Sequence, residues 1–307
     1  MSRLPTVIAS SVVRGTVQGE SHGGLYLVDL DTGRTEQRLD WNGTDIDISG
    51  RGGDRGLRGI EFHEGGVVVA ANAEILFLDQ QFRRIESFTN PFLQHCHEIS
   101  IHGAQLFAAS TGFDSILMFD LAVKRFTLGF HLSFDGQGVR VSRYDPQASN
   151  GPPPGRHFHI NSVKALASGV YFSGVRMQRL LRLDERGVSH VAHVPLGTHN
   201  AQPLERGIVY NDTASDRVCY SAEGAFVRMS VPRFPQEEIV NIDRFESTVA
   251  RPCFARGLCS LGPGLIAAGS SPSTVCAYEL AGGTRLALRN ISMDVRNAIH
   301  GLEVWPF

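Results

Sequence analysis

The chain has 307 residues, and its 29 Lys and Arg nearly balance 31 Asp and Glu, for a formal charge of −2 at neutral pH. This balance excludes the basic surface of a nucleic-acid-binding protein, and no apolar run approaches the roughly 20 residues of a membrane helix. The five cysteines form no C-x-x-C pair and the N-terminus has no secretion signal. We therefore expect a reduced, cytoplasmic protein with neither a nucleic-acid nor a membrane partner.

The first predicted elements are three short strands, TVIASSVV, GLYLVDLDTG and TEQRLDW. Alternating apolar residues, with Gly and Asp between the segments, indicate an antiparallel run. Compared with the repeats that follow, these segments correspond to strands two, three and four of a four-stranded unit. The first strand of that unit is missing here.

Five copies of a longer pattern follow. Each copy has a polar residue, a hairpin with a Gly-rich turn, a third strand that ends in an acidic or polar turn, and a fourth strand. The hairpins begin at Leu57, Cys96, Ile160, Thr198 and Ala255. The last segment, IHGLEVWPF, starts a sixth copy and stops, so that it supplies the strand missing at the N-terminus.

This repeat predicts an all-β fold, a six-bladed β-propeller with the N- and C-terminal strands sharing one blade. We expect a single domain over residues 1–307. A β-sandwich or two stacked barrels would explain neither the repeated polar residue nor the complementary termini. Two connections, 131–158 and 232–255, are predicted as long loops on the face where the channel opens.

One position of the repeat, just ahead of the apolar part of each first strand, carries polar chemistry. Its occupants in chain order are Arg58, His97, Asn161, His199, Arg256 and His300. Because first strands line the channel of a propeller, we expect these side chains to converge at one mouth, with histidines on alternate blades. Three imidazoles facing one axis suit a divalent metal ion, which we predict to be iron, zinc or manganese, bound by His97, His199 and His300.

The remaining polar residues near this position predict a site for a small anionic molecule. Arginine stays charged and binds carboxylates, phosphates or sulfates through paired hydrogen bonds. The predicted substrate-binding residues are Arg58, Asn161, Arg256, Asn200 and Arg156. His159 or Glu98 would transfer a proton, although Glu98 would point away from His97 on a regular strand.

In architecture and anchor residues the chain resembles the six-bladed propellers that include gluconolactonases, strictosidine synthases and paraoxonases, and the lyases related to virginiamycin B lyase. Members of the gluconolactonase group coordinate a divalent ion at the channel with Glu, Asn and Asp. Of the anchor residues here, Asn161 alone matches that chemistry, and the histidines diverge from it. The three-histidine set is similar in its ligands to non-haem iron oxygenases, which have other folds.

The sequence therefore favours a metal-binding hydrolase or lyase that acts on a small anionic organic substrate, with the metal as Lewis acid. An oxygenase that uses iron at the same histidines is one alternative. A non-catalytic ligand-binding or scaffold propeller is another. Near-stoichiometric metal that is lost in a folded His199→Ala protein would favour the enzymes over the binding propeller.

Overall fold

The computed structural model describes residues 3–43, 56–136, 138–244, 247 and 250–307. In these ranges the chain is almost entirely β, and strands β1 to β25 form six antiparallel sheets arranged as a β-propeller, as the repeat predicts. A 3₁₀ turn, Gln236–Glu238, is the helical segment between β20 and β21. None of the helices in the described part of the chain is long and apolar enough to cross a membrane.

The two ends of the chain share one sheet. Its strand order is β25, β1, β2, β3, and the bounds are Asn297–Val304 for β25, Thr6–Val13 for β1, Gly24–Asp29 for β2 and Thr35–Asp40 for β3. Strands β1 and β25 are antiparallel, with Val7 opposite Val304 and Val13 opposite Asn297. The prediction that the termini complete one blade is confirmed.

The other five sheets are formed by strands that follow one another in the chain. The first contains β4 (Ile60–His63), β5 (Gly66–Ala71), β6 (Glu74–Leu78) and β7 (Arg84–Thr89). The second contains β8 (Cys96–His102), β9 (Gln105–Ser110), β10 (Ser115–Asp120), β11 (Arg125–Phe134) and β12 (Val139–Tyr144). The third contains β13 (Ile160–Leu166), β14 (Gly169–Gly174), β15 (Arg179–Asp184) and β16 (Gly187–His193). The fourth contains β17 (Thr198–Leu204), β18 (Gly207–Asp212), β19 (Arg217–Ala222) and β20 (Ala225–Ser230). The fifth contains β21 (Arg256–Gly262), β22 (Leu265–Ser270), β23 (Thr274–Glu279) and β24 (Arg285–Asn290).

Contacts between Cα atoms divide the chain into two compact units, Met1–Arg58 with Leu204–Phe307, and Gly59–Pro203. Each unit has apolar cores of its own. In Gly59–Pro203, one core includes Leu106 and Phe119, and a second includes Phe172. The other unit also has such cores. They form because alternate residues of each strand direct their apolar side chains toward the facing sheet. The five cysteines are buried thiols in these cores and strands.

Aspartates close the turns between the third and fourth strands of several blades. Asp79 Oδ1 accepts the N–H groups of Gln81 and Arg83, each at 2.9 Å. Asp29, Asp120 and Asp184 accept backbone N–H groups in the equivalent turns. The backbone N–H of Arg83, above all, lowers the pKa of Asp79, because hydrogen bonds to a carboxylate favour its charged form. The acidic turn of the predicted repeat is thus a hydrogen-bonded Asx turn.

The predicted loop 131–158 is in part β structure. Strand β11 extends to Phe134, and β12 adds a fifth strand to its sheet, with Phe130 opposite Arg143. The alternation of Val139 and Val141 with polar residues is the signal for this strand, and the Gly, Pro and Arg content of the segment obscured it. In the second predicted loop, 232–255, positions 245, 246, 248 and 249 lie outside the described residues.

Candidate functional site

The predicted anchor residues lie at a repeated irregularity of the first strands. Strand pairing shifts by one residue at the start of several of these strands, which marks a β-bulge. The extra residue lies between Cys96 and Ile99 in β8, at Asn161 in β13, at Gly257 in β21 and at His300 in β25. A bulge breaks the strict alternation of a strand and re-aims side chains, and bulges are frequent next to active sites.

Most of these anchor side chains are removed from solvent. Arg58 is fully buried, and Asn161, His199 and His300 are buried. His97 is also buried, whereas Arg256 is half-buried. Polar side chains in such positions need partners or a function, because burial without hydrogen bonds is costly. The convergence of all six residues at one mouth stays a prediction.

Three imidazoles lie close together in the unit Gly59–Pro203. The ring centroid of His97 is 5.6 Å from that of His159 and 6.5 Å from that of His199. His97 and His199 are the second residues of β8 and β17, and His159 immediately precedes β13. We call His97, Glu98, His159, His199 and Asn200 the histidine cluster.

Glu98 belongs to this cluster, contrary to the expectation for a regular strand. Its Oε2 atom accepts a hydrogen bond of 2.8 Å from Asn200 Nδ2. The bulge in β8 explains the difference, because it lets consecutive residues of β8 contact consecutive residues of β17. The close approach of Glu98 also requires Gly59, where an added Cβ would lie 2.5 Å from Glu98 Oε1.

A backbone carbonyl fixes the protonation pattern of His199. Its Nδ1 atom lies 2.9 Å from the carbonyl oxygen of Gly197. Since a carbonyl oxygen only accepts, Nδ1 carries the proton, and the Nε2 atom of the neutral ring holds the basic lone pair. His199 is thereby prepared to accept a proton at Nε2.

Asp114 positions His159, and sequence reasoning missed it. The Asp114 carboxylate is buried and accepts the backbone N–H groups of Phe158 at 3.1 Å and His159 at 2.9 Å. Burial raises the pKa of Asp114, while these hydrogen bonds oppose the shift. The signal in the sequence was a single acid in the turn between β9 and β10, and only the fold brings it to residues 45 positions later.

Four residues in or beside the histidine cluster have left-handed backbone conformations. His95, Asp114, His159 and Asn200 have φ values of 51°, 43°, 53° and 51°. Residues other than glycine rarely adopt this left-handed region, and such strain is found preferentially at functional sites. The fold therefore holds the residues around the cluster in conformations that their sequences alone would not favour.

One guanidinium group lies on the segment that leads to His159, and a second lies between β14 and β15. Arg156 Nη2 makes a short hydrogen bond with His95 Nε2, and Arg176 Nη1 donates to the Arg156 carbonyl at 3.2 Å. Both arginines are exposed. The predicted substrate-binding residues Arg156, Asn161 and Asn200 thus lie in the same unit as the histidine cluster.

The role of His97, His199 and His300 as metal ligands stays a prediction. In the described ranges no three His, Cys, Asp or Glu side chains form a group that could hold a metal ion. Arg256 Nη1 lies 3.0 Å from His300 Nε2, and because a guanidinium only donates, the imidazole accepts. This hydrogen bond uses the lone pair that a metal would require, and the positive charge of Arg256 opposes a cation. Metal binding at His300 Nε2 would therefore require Arg256 to release this nitrogen.

Asn161 and the two remaining predicted substrate-binding residues, Arg58 and Arg256, have different surroundings. Asn161 Nδ2 donates to the Thr198 carbonyl at 2.9 Å, while its buried Oδ1 atom has no hydrogen-bond partner. Arg58 accepts the Ser10 hydroxyl at its backbone carbonyl. Arg256 lies over the Phe254 ring, with Cζ 4.4 Å from the ring centroid.

Comparison with known proteins supports the architecture alone. No family model matches the sequence, and no curated protein matches it. A chain in the crystal structure of the nidogen–laminin complex is similar in fold, with a TM-score of 0.60, 11% identity and 97% of both chains covered. The computationally designed Ika8 protein is similar with a TM-score of 0.50 and 10% identity over 99% of this chain and 92% of that chain. Since one fold hosts many functions, these likenesses assign neither an activity nor membership of the lactonase and lyase propellers.

Proposed function

We propose that the protein is an enzyme that acts on a small anionic organic molecule at the histidine cluster, by hydrolysis or elimination. The observation that carries the proposal is the hydrogen bond from His199 Nδ1 to the Gly197 carbonyl, which defines Nε2 as the basic nitrogen. Enzymes that transfer protons commonly use a base with a fixed tautomer that lies close to a second imidazole and to a carboxylate.

Each member of the cluster has a role in this proposal. His199 Nε2 takes a proton from the substrate in an elimination, or from the attacking water in a hydrolysis. His159 returns a proton to the leaving group, and Asp114 holds its backbone in place. Glu98 is oriented by Asn200 and stabilises the positive charge that develops on the imidazoles.

Substrate recognition follows from charge and from one unsatisfied acceptor. Arg156 contacts His95 and Arg176 contacts the Arg156 carbonyl, and the positive charge of the two suits an anionic group on the substrate. Asn161 Oδ1 is a buried acceptor that a substrate hydroxyl or a bound water would satisfy. Hydrolysis and elimination are also the reactions of the lactonase and lyase propellers that the sequence resembles.

The proposal assigns no step to the predicted metal ion. Arg256 donates to His300 Nε2, which is the nitrogen that the predicted ion would require. Elemental analysis of the purified protein tests this point. A stoichiometric transition metal that disappears in folded His199→Ala protein would contradict the proposed roles and restore the Lewis-acid hypothesis.

The enzymatic proposal is tested with a panel of lactones, hydroxy acids and anionic esters, with products detected by mass spectrometry. For a compound that is converted, we expect His199→Gln to lower kcat/KM by about 100-fold or more, the usual contribution of an acid–base group. His190→Gln is the matched control, because His190 is an exposed imidazole on β16. Conversion by a folded His199→Gln protein at the wild-type rate would reject the proposed base.

A further inference from the structure

Three arginines surround one phenylalanine in the unit formed by Met1–Arg58 and Leu204–Phe307. The Cζ atoms of Arg14, Arg251 and Arg256 lie 4.8, 4.9 and 4.4 Å from the ring centroid of Phe254. Arg14 follows β1, Arg251 and Phe254 precede β21, and Arg256 is the first residue of β21. We call Arg14, Arg251, Phe254 and Arg256 the arginine cluster.

Contacts with the rest of this unit hold two of the guanidinium groups in place. Arg251 pairs with Asp216 at 2.6 Å and donates to the Thr213 carbonyl. The Thr213 hydroxyl in turn donates to the Ala255 carbonyl at 2.8 Å, which ties the same segment to β18. Arg256 is held by His300. These guanidinium groups are thus positioned before any ligand arrives.

The arrangement concentrates positive charge. A ring has two faces, so at least two of three guanidinium groups that lie over it share a face and repel each other. Asp216 does not balance this charge alone, because it also pairs with Arg233 at 3.2 Å, and two guanidinium groups share one carboxylate. Cation–π contacts with Phe254 offset part of the repulsion. An anion between the guanidinium groups would reduce the repulsion between them.

We propose that the arginine cluster is a binding site for an oxyanion, the carboxylate or phosphate group of a small organic molecule. A guanidinium over an aromatic ring uses its flat face for that contact and directs its N–H groups along its plane, where carboxylate and phosphate oxygens accept paired hydrogen bonds. Of the four residues, the sequence indicated only Arg256. The inference does not depend on catalysis at the histidine cluster, so either proposal can fail without the other.

Isothermal titration calorimetry in a chloride buffer, with inorganic phosphate and with malonate, tests the site. We expect saturable binding of at least one of the two anions by the wild type, and the tighter one identifies the preferred group. Arg14→Gln and Arg256→Gln should each raise Kd at least about tenfold, as loss of a charged hydrogen bond implies. Arg228→Gln is the matched control, because Arg228 lies 4.4 Å from the centroid of Phe226 on β20 and should leave Kd unchanged.

Variants that lower the thermal transition are replaced by Arg14→Lys, which keeps the charge and loses the planar fork, and which should weaken binding less than Arg14→Gln. Failure of the wild type to bind either anion would overturn the proposal. Equal loss of binding in Arg228→Gln and Arg256→Gln would also overturn it, because the anion would then respond to general surface charge.

Discussion

The proposed base depends on a single proton whose location is set by the backbone. Gly197 presents its carbonyl to His199 Nδ1, and Gly197 itself has a φ of 84°, which glycine adopts without strain. A side chain at position 197 would therefore disturb the carbonyl that selects the tautomer. The tautomer of His199 thus depends on the backbone conformation of Gly197, two residues earlier in the chain.

We expect nitrogen NMR of the wild-type protein to identify His199 as the Nδ1–H tautomer when its ring is neutral. The physical reason is the 2.9 Å contact with a carbonyl, which accepts a proton and cannot donate one. His190, which is exposed, serves as the reference for an ordinary tautomer mixture. Assignment of an Nε2–H proton to His199 would remove the basis of the proposed function.

Bulges in the first strands require close backbone contacts that tolerate no side chain. Next to the bulge residue of β25, Gly301 N donates to Ser10 Oγ at 2.8 Å. A Cβ added to Gly301 would lie 2.2 Å from the Arg58 carbonyl oxygen, which belongs to the backbone and cannot rotate away. Gly301 therefore packs directly against the Arg58 carbonyl, and there is no space for a side chain at position 301.

Gly301→Ala should destabilise the protein by about 1–3 kcal/mol or prevent folding, since overpacking forces backbone shifts. Gly138→Ala is the control, because a Cβ there would meet nothing within 4 Å. Urea unfolding monitored by circular dichroism compares the two variants. Equal stability of the two proteins would mean that the contact between Gly301 and Arg58 is more adaptable than its geometry indicates.

A half-buried carboxylate links the first strands of two neighbouring blades. Glu61 on β4 accepts the Ile101 N–H at 3.1 Å, and burial raises the pKa of Glu61. A raised pKa in the folded state means that this group adds stability below its unfolded pKa and loses it as the pH rises through the folded value. Above the unfolded pKa, the raised pKa of Glu61 thus lowers the stability of the folded wild type.

Glu61→Gln keeps the acceptor for Ile101 and removes the charge, so we expect a higher free energy of unfolding than the wild type at pH 7. The advantage should shrink toward pH 4.5, the ordinary pKa of this carboxyl, because the wild-type carboxyl is then increasingly protonated. Urea titrations at both pH values measure the difference. A loss of stability that is the same at both pH values would show that charge burial is not the controlling factor.

The strands and the aspartate turns could be predicted because they depend on local alternation and turn chemistry. The bulges could not, since they fall at polar or glycine positions where no apolar alternation shows the one-residue shift, and Glu98 was therefore expected to point away from His97. Asp114 and Phe254 were missed for another reason. Each acts through partners that loops bring together, and loop conformation is not set by periodicity.

Across the molecule, the polypeptide is closed by hydrogen bonds between β1 and β25. Val7, Ala9 and Val12 of β1 and Ile299 of β25 are fully buried at this junction. The repeat made this closure predictable, because only the terminal copies were incomplete. The metal prediction came from the same alignment and stays a prediction, because equivalent positions in a repeat do not specify the contacts of their side chains.

Deletion of residues 297–307 should abolish cooperative unfolding and lead to aggregation, because β1 would become an exposed apolar edge. A circular permutant that joins Phe307 to Arg3 through a short linker and opens the exposed turn at Gly103 keeps all strands, and we expect it to fold. Circular dichroism and size-exclusion chromatography compare the two. A stable truncated monomer would show that closure of the terminal sheet contributes little.

The antiparallel pairing of β1 with β25 also fixes how the molecule would respond to mechanical load. Val7 lies opposite Val304, so the chain enters and leaves at the same end of this strand pair. A pulling force applied through the two ends would peel the pairs apart one after another, beginning at Val7 and Val304, instead of shearing them all at once. Tension would therefore open the shared blade first, and at low force.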